Sequence, residues 1–376
     1  MSGFSFRYGP RVLAGEGVAE TLADHLPPGP VLFVTDEALL GLGLPRAVLA
    51  ALRRAGHDIA IFDAVEADPS AATVEACAAA GRAAGATSVV GFGGGSPMDV
   101  AKLAALLLGS GEALADIYGV GLAKGPRLPL ALVPTTAGTG SEATPISIVT
   151  VGGAEKKGVV ADVLTADVAL LDPALTVGLP RPVTAATGID AMVHAIEAYT
   201  SARLKNPISD ALALEALRRL DANLIRACEA PGDLEARASM LLGSHLAGVA
   251  FANAPVAAVH ALAYPLGGHF HLAHGHSNAA MLLPVLRHNL AGAAGLYAEL
   301  AEAIGVPGGA EGFIAHLDAR LRATGLPLRL SQLGISHNQL PMLAAEAMKQ
   351  QRLLVNNPVP VDEAAALALY EQAWAA

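Results

Sequence analysis

The feature that most constrains this chain is an alternation that stops. Through about residue 175, short β-branched or aliphatic runs alternate with Ala-rich helical stretches, and beyond Pro182 the strand signals vanish. The run at 30–35 reads as a buried strand and those at 57–62, 87–92 and 127–133 as further strands, with helices expected over 36–55 and 75–86. Strand and helix in alternation imply right-handed crossovers, so the strands line up in parallel. The later segments, 183–201, 207–230, 234–251 and others as far as Trp374, carry helical periodicity alone. The expected fold is an α/β N-terminal domain with a mostly parallel sheet, residues 1–180, followed by an all-α C-terminal domain, residues 181–376. Leu179-Pro-Arg-Pro182 marks the boundary, because two prolines flank a turn there. A chain of 376 residues also exceeds the ~250 at which single cores usually stop growing.

Composition narrows the function classes. Apolar residues make up 53% and charged residues 15%, so a large core is available and disorder is excluded. A formal net charge of -10 argues against a nucleic-acid partner, which would want a basic face. Residues 239–286 contain no Asp, Glu, Lys or Arg, yet they carry six histidines and several Gly and Pro. They lack the ~20-residue apolar run that a bilayer demands, so a buried soluble core is expected rather than a membrane span. Cys77 and Cys228, far apart and without CxxC spacing, offer neither a disulfide framework nor a cysteine zinc site. The first ten residues lack a charged segment followed by an apolar one, so a reducing, cytoplasmic setting is expected.

Two loops in the first half carry chemistry. Gly91-Phe-Gly-Gly-Gly-Ser-Pro-Met-Asp-Val-Ala-Lys102 lies between a strand and a helix, with Ser96 expected as the helix N-cap and Pro97 at its first position. Glycines let a backbone approach closely, and the unpaired N–H groups of the helix start can hold a phosphate. A tight strand-to-helix turn uses glycines too, and the pattern is not GxGxxG. Pro134-Thr-Thr-Ala-Gly-Thr-Gly-Ser-Glu142 packs four hydroxyls and two glycines after another strand, where open α/β sheets place ligands; a merely solvated loop is the alternative. Asp36 follows the strand at 31–34, where a carboxylate can accept from a ribose diol and repel a 2′-phosphate. It can equally cap the next helix.

The second half holds the sharper pattern. Asp190 and His194 are i and i+4 on a helix and project from one face, which suits a metal, although a lone pair of this kind is more often a surface or capping contact. Five histidines then fall between His260 and His276, in a segment with Tyr264 as its other ionisable side chain. Burying that many imidazoles without partners is costly, and backbone carbonyls explain two or three of them better than five. A carboxylate combined with imidazoles suits Fe²⁺ or Zn²⁺ better than Ca²⁺ or Mg²⁺.

These stretches, with Ala186-Thr-Gly-Ile-Asp-Ala-Met-Val-His-Ala-Ile-Glu-Ala-Tyr199, Asn206-Pro-Ile-Ser-Asp210 and His274-Gly-His-Ser-Asn278, resemble the iron-dependent (group III) alcohol dehydrogenase family in order and spacing. The match spans roughly residues 5–290, with Asn356-Asn-Pro358 a weaker echo. The resemblance implies an N-terminal dinucleotide-binding α/β domain, a helical metal- and substrate-binding C-terminal domain and a cleft between them. It implies metal ligands Asp190, His194, His260 and His274, and NAD contacts at Asp36, Asp68, Gly94, Gly95, Ser96, Thr135, Thr136, Thr139 and Lys157. His269, His271 and His276 are left to line the substrate cleft or to hydrogen-bond. The implied reaction is reversible hydride transfer between a small alcohol and NAD with Fe²⁺ or Zn²⁺, in a homodimer.

Two departures stand out. Tyr264 takes the place of a second histidine found in many relatives, and a phenol is the weaker base at neutral pH, so the proton is expected to leave through water, His269 or His271, or Tyr264 acts only as a hydrogen-bond donor to substrate. Asp68 stands where relatives often have Asn, adding negative charge near the expected nucleotide. The competing readings are a maleylacetate reductase-like enzyme of the same fold, counted against by the retained ligand set, and a metal-dependent hydrolase or lyase, which leaves the glycine turn without a task.

Overall fold

Four short runs in the first half are apolar on both faces, and such strands are stable only at the centre of a covered parallel sheet. In a computed structural model of the chain, which describes residues 3–152 and 155–375, these runs are β2 (Val31–Val34), β4 (Ser88–Gly93), β6 (Leu130–Pro134) and β9 (Val168–Leu171), all buried. With β1 (Arg11–Ala14) and β3 (Ile59–Phe62) they form a six-stranded sheet in the order β1-β9-β6-β4-β2-β3, parallel throughout. Alternate side chains go to opposite faces. Leu32 and Val34 join a core with residues of α3 (Ala71–Ala83) and α4 (Gly95–Ser110), while Val31 and Phe33 pack with Phe92 and Leu52 on the other face.

The helix expected over 36–55 is two helices, α1 (Glu37–Gly41) and α2 (Arg46–Arg54). Gly43, at φ +71, and Pro45 interrupt the ladder between them. A small second sheet was not anticipated. It comprises β5 (Gly119–Val120), β7 (Ile146–Val151) and β8 (Glu155–Val160), with β7 and β8 antiparallel from Ile146↔Val160 to Val151↔Glu155.

The second half is helical as expected. It contains α5 (Arg181–Thr200), α6 (Pro207–Glu229), α7 (Leu234–Asn253), α8 (Ala258–Phe270), α9 (His274–Ala303), α10 (Gly309–Thr324), α11 (Leu340–Ala347), α12 (Gln351–Leu354) and α13 (Glu363–Ala375). Asn206 caps α6 by accepting from Ser209 N–H, and Asp233 caps α7 by accepting from Ala236 N–H. Tyr8–Gly178 is one compact unit. The chain from Leu179 onward is the other and includes the N-terminal segment up to Arg7, whose N–H and carbonyl both bond the Asn253 side chain. Among the described residues no single helix is long and apolar enough to cross a membrane; α7 and α8 pass only as a pair, bent by 106°.

Candidate active site

The order of the sheet itself selects one ligand position. From β2 the chain goes to β3 at the edge, returns across β2 to β4, and then continues the other way to β6 and β9. Ligands of open α/β sheets sit beyond the carboxyl ends of the strands where the direction reverses. At that point stand Asp36 after β2, the glycine turn after β4, and the threonine loop after β6.

Gly94 is the N-cap of α4, in extended backbone, and the helix begins at Gly95. Ser96 is therefore inside the first turn rather than its cap, because glycine backbone enters the helix earlier than a Ser–Pro cap would. Its Oγ accepts from Asp68 N–H at 3.3 Å. A Cβ on Gly95 would lie 2.9 Å from Thr139 Cγ2, and one on Gly94 would lie 3.6 Å from Thr136 Oγ1, so the turn and the threonine loop face each other directly. Thr135 N–H donates to Gly93 carbonyl at 2.9 Å, and Thr135 is buried. Gly94, Gly95, Ser96, Thr136 and Thr139 stay half-buried, leaving backbone N–H groups of the helix start within reach of an anion. Asp36 caps α1 with Oδ1, accepting from Leu39 N–H at 2.9 Å.

Asp68 has a left-handed backbone, φ +57, and pairs with Lys156 Nζ at 2.6 Å. Lys157 Nζ has Glu155 at 3.7 Å and the ring of Tyr118 at 5.7 Å as neighbours. Sequence reasoning passed over Lys102, which is fully buried. Its Nζ donates to Ser141 Oγ and the Ile146 carbonyl, both at 2.7 Å, and so ties α4 to the threonine loop and β7. Burial lowers its pKa, against the charge of Asp99, which raises it.

In the helical unit Asp190 and His194 project from one face of α5, His260 comes from the first turn of α8, and His274 opens α9. One ligand atom from each lies within 4.8 Å of all the others. Asp190 Oδ1 is 4.0 Å from His194 Nε2, 3.8 Å from His260 Nε2 and 3.6 Å from His274 Nε2. A tetrahedral cation with bonds of ~2.1 Å needs ligand separations of about 3.4 Å, so the set fits with small adjustments. Asp190, His194 and His260 are buried while the His274 side chain is 35% exposed, which leaves one side approachable. Burial pushes the Asp190 carboxyl up, but His194, His274 and His260, with the Asn278 amide, outweigh it and hold the pKa below the ordinary value.

The surroundings set the rings. Phe251 stacks on His194 at 4.3 Å and His194 on His260 at 4.7 Å, while Tyr264 lies 5.8 Å from His274, half-buried. Asn278, one turn along α9 from His274, donates to Asp190 Oδ1 at 2.6 Å. Glu197 accepts from His260 Nδ1 at 2.6 Å and was not singled out from the sequence, although i+7 from Asp190 puts it on the same helix face. The remaining histidines do not join the cluster. His276 Nε2 donates to the Pro327 carbonyl, His269 lies 3.9 Å from Glu346, and His271 ends α8 with φ +54.

Known proteins match the chain along almost its whole length. The family model for iron-containing alcohol dehydrogenase matches residues 9–173, and the C-terminal model of the Fe-containing alcohol dehydrogenase family matches residues 184–374. Long-chain-alcohol dehydrogenase 1 of Geobacillus thermodenitrificans is 41% identical over 358 residues, 92% of this chain and 89% of that one. The crystal structure of a 1,3-propanediol oxidoreductase superposes with a TM-score of 0.95 at 34% identity, covering 99% of this chain and 100% of that one. Sulfoacetaldehyde reductase from Bifidobacterium kashiwanohense, solved in complex with NAD⁺, gives a TM-score of 0.90 at 28% identity, over 100% of this chain and 99% of that one. On this evidence of sequence and fold together, the chain belongs to the iron-containing alcohol dehydrogenase family.

Proposed function

We propose that Asp190, His194, His260 and His274 hold a divalent cation, Fe²⁺ or Zn²⁺, in an enzyme that exchanges hydride between a small alcohol and NAD. The observation that carries this reading is the convergence of one carboxylate and three imidazoles, from three helices, within 4.8 Å. When bound, the cation supplies a Lewis acid for an alcohol or carbonyl oxygen, and NAD supplies the hydride acceptor. Asp190 stays ionised at neutral pH and offsets one of the cation's two charges, so the imidazole set leaves a net positive centre facing substrate. Oxidation of the alcohol to its aldehyde also releases a proton. Tyr264 is the catalytic candidate for that step, its phenol beside His274 donating to or accepting from the substrate oxygen.

The α/β unit is the NAD-binding domain in this reading, with the boundary near residue 180, and the helical unit binds metal and substrate. Backbone N–H groups at Gly94, Gly95 and Ser96 take the pyrophosphate, and Thr135, Thr136 and Thr139 close over it. Asp36 accepts from the adenosine ribose. Asp68 lies at the same end of the sheet, but its charge is taken up by Lys156, so discrimination against a 2′-phosphate rests chiefly on Asp36. Lys157, beside Glu155 and Tyr118 on β8, is the remaining NAD contact of this reading. The reading extends to a cytoplasmic homodimer without nucleic-acid or membrane partners; the buried free thiols of Cys77 and Cys228 and the charge of -10 support parts of it.

The test uses chelator-stripped protein titrated with Fe²⁺ or Zn²⁺ while NADH formation from short primary alcohols is followed. Activity should return with one equivalent of metal per chain. NADH formation that ignores metal defeats the assignment, and failure of the protein to bind NADH, read by fluorescence, would favour the hydrolase or lyase chemistry instead.

A further inference from the structure

Glu197 is a buried carboxylate, 4% exposed, and a carboxylate at that depth needs partners for both oxygens. It uses them separately. Oε1 accepts from the Val259 N–H at 2.7 Å, and Oε2 accepts from His260 Nδ1 at 2.6 Å. The two partners are adjacent residues in the first turn of α8, whereas Glu197 is near the end of α5, so this one side chain joins the helices that carry Asp190, His194 and His260.

The first contact is explained by the helix. The N-cap of α8 is Ala257, which has no side-chain acceptor, so the N–H groups of the first turn are left without a local partner. A carboxylate brought from α5 satisfies one of them and places negative charge at the positive end of the helix. Capping alone, however, needs only one oxygen. The second oxygen is on the imidazole nitrogen that faces away from the Asp190 cluster, and a carboxylate can only accept there. In the neutral ring the hydrogen of His260 is therefore on Nδ1, and the lone pair is on Nε2, the atom 3.8 Å from Asp190 Oδ1. Two contacts to adjacent residues also fix the direction of the ring, which is held from its face by the stacked His194 at 4.7 Å.

We infer that Glu197 is a positioning residue for the cation site: it sets the tautomer and orientation of His260. The inference rests on the metal reading above and deepens it. Removing such an outer partner of a ligating histidine typically lowers metal affinity by about 10- to 100-fold. Glu197→Gln is the informative change. Glutamine has the same shape and keeps one oxygen, which can still take the Val259 N–H, so the helix cap survives. Its amide then points a hydrogen at His260 Nδ1, which must accept, and the ring proton moves to Nε2 where the lone pair is needed.

The experiment measures Zn²⁺ affinity of metal-free wild type and E197Q by competition with a chelator, together with melting of the metal-free proteins and NADH binding. Zn²⁺ affinity should fall about 10- to 100-fold in E197Q, with metal-free melting within a few degrees of wild type and NADH binding unchanged. Long-range ¹H–¹⁵N spectra of histidine-labelled wild type, assigned against His260→Ala, should place the His260 proton on Nδ1. That measurement stands even if E197Q does not fold. Zn²⁺ affinity in folded E197Q within twofold of wild type overturns the inference, and so does an Nε2–H tautomer in the wild type. A wild type that binds neither Zn²⁺ nor Fe²⁺ removes the metal reading itself, which is a different result from a wild type that binds metal as well as E197Q does.

Discussion

Two acidic residues near the end of the parallel sheet have the same charge and different work. Asp68 gives its carboxylate to Lys156 at 2.6 Å, which cancels most of the field it could direct at a ligand. Among the described residues Asp36 has no such cation: its Oδ1 caps α1 and the side chain is half-buried, and in the proposed reading its second oxygen accepts from a ribose hydroxyl. Asp36→Ser keeps a capping oxygen and removes the charge. Relief of like-charge repulsion against a 2′-phosphate, after solvent screening, is about 1 to 2 kcal/mol. The kcat/KM for NADP⁺ should therefore rise about tenfold relative to NAD⁺, in initial-rate measurements with a single alcohol. The same substitution at Asp68 should move the cofactor ratio by less, because the charge removed there is already paired; an equal shift would show that Lys156 does not shield it.

The packing of elements explains why His274 reaches its partners. Gly275 opens α9 against α5, and a Cβ there would fall inside contact distance of the Ala186 carbonyl oxygen and 3.2 Å from Asp190 Cβ. Neither a backbone carbonyl nor a Cβ is a flexible chain end that can move aside. Gly275→Ala should push the start of α9 away from α5, costing about 1 to 3 kcal/mol of stability. It should weaken Zn²⁺ binding as well, because Asp190 and His274 lie on the two helices that separate. Urea unfolding and chelator competition check the two effects; a variant with wild-type values for both would mean that the helices do not need to approach so closely. Glycine at 275 is also an example of what sequence reading could and could not supply. The histidines, the glycine turn and the threonine loop were legible because their residue types are costly to bury or strained without a reason. The split of the expected 36–55 helix was legible in principle from Gly43 and Pro45, and the β7–β8 pair from the alternation Ile146-Ser-Ile-Val-Thr-Val151 before Gly152. Lys102 and Glu197 were not, because each acts on a partner more than 35 residues away, and only the packing of helices brings Ser141 to one and His260 to the other.

At the scale of the whole chain, the two sets of candidate residues fall on different compact units. Asp36, the glycine turn and the threonines belong to Tyr8–Gly178, whereas all four metal-ligand candidates come after Leu179. A ligand that binds only the folded form stabilises what it touches, by about 2.7 kcal/mol at a free concentration one hundred times its Kd. Metal should therefore slow amide exchange first in α5 and in the opening turns of α8 and α9, and NADH should slow it at the start of α4 and in the loop after β6. Chelation should reverse the first pattern and leave the second in place. Metal affinity should also fall as pH is lowered, because protons compete with a cation for its ligand atoms. Hydrogen exchange read peptide by peptide, with each ligand alone and at two pH values, separates these outcomes. Protection by metal that spreads evenly over both units, or that begins in the parallel sheet, would contradict a cation held by Asp190, His194, His260 and His274.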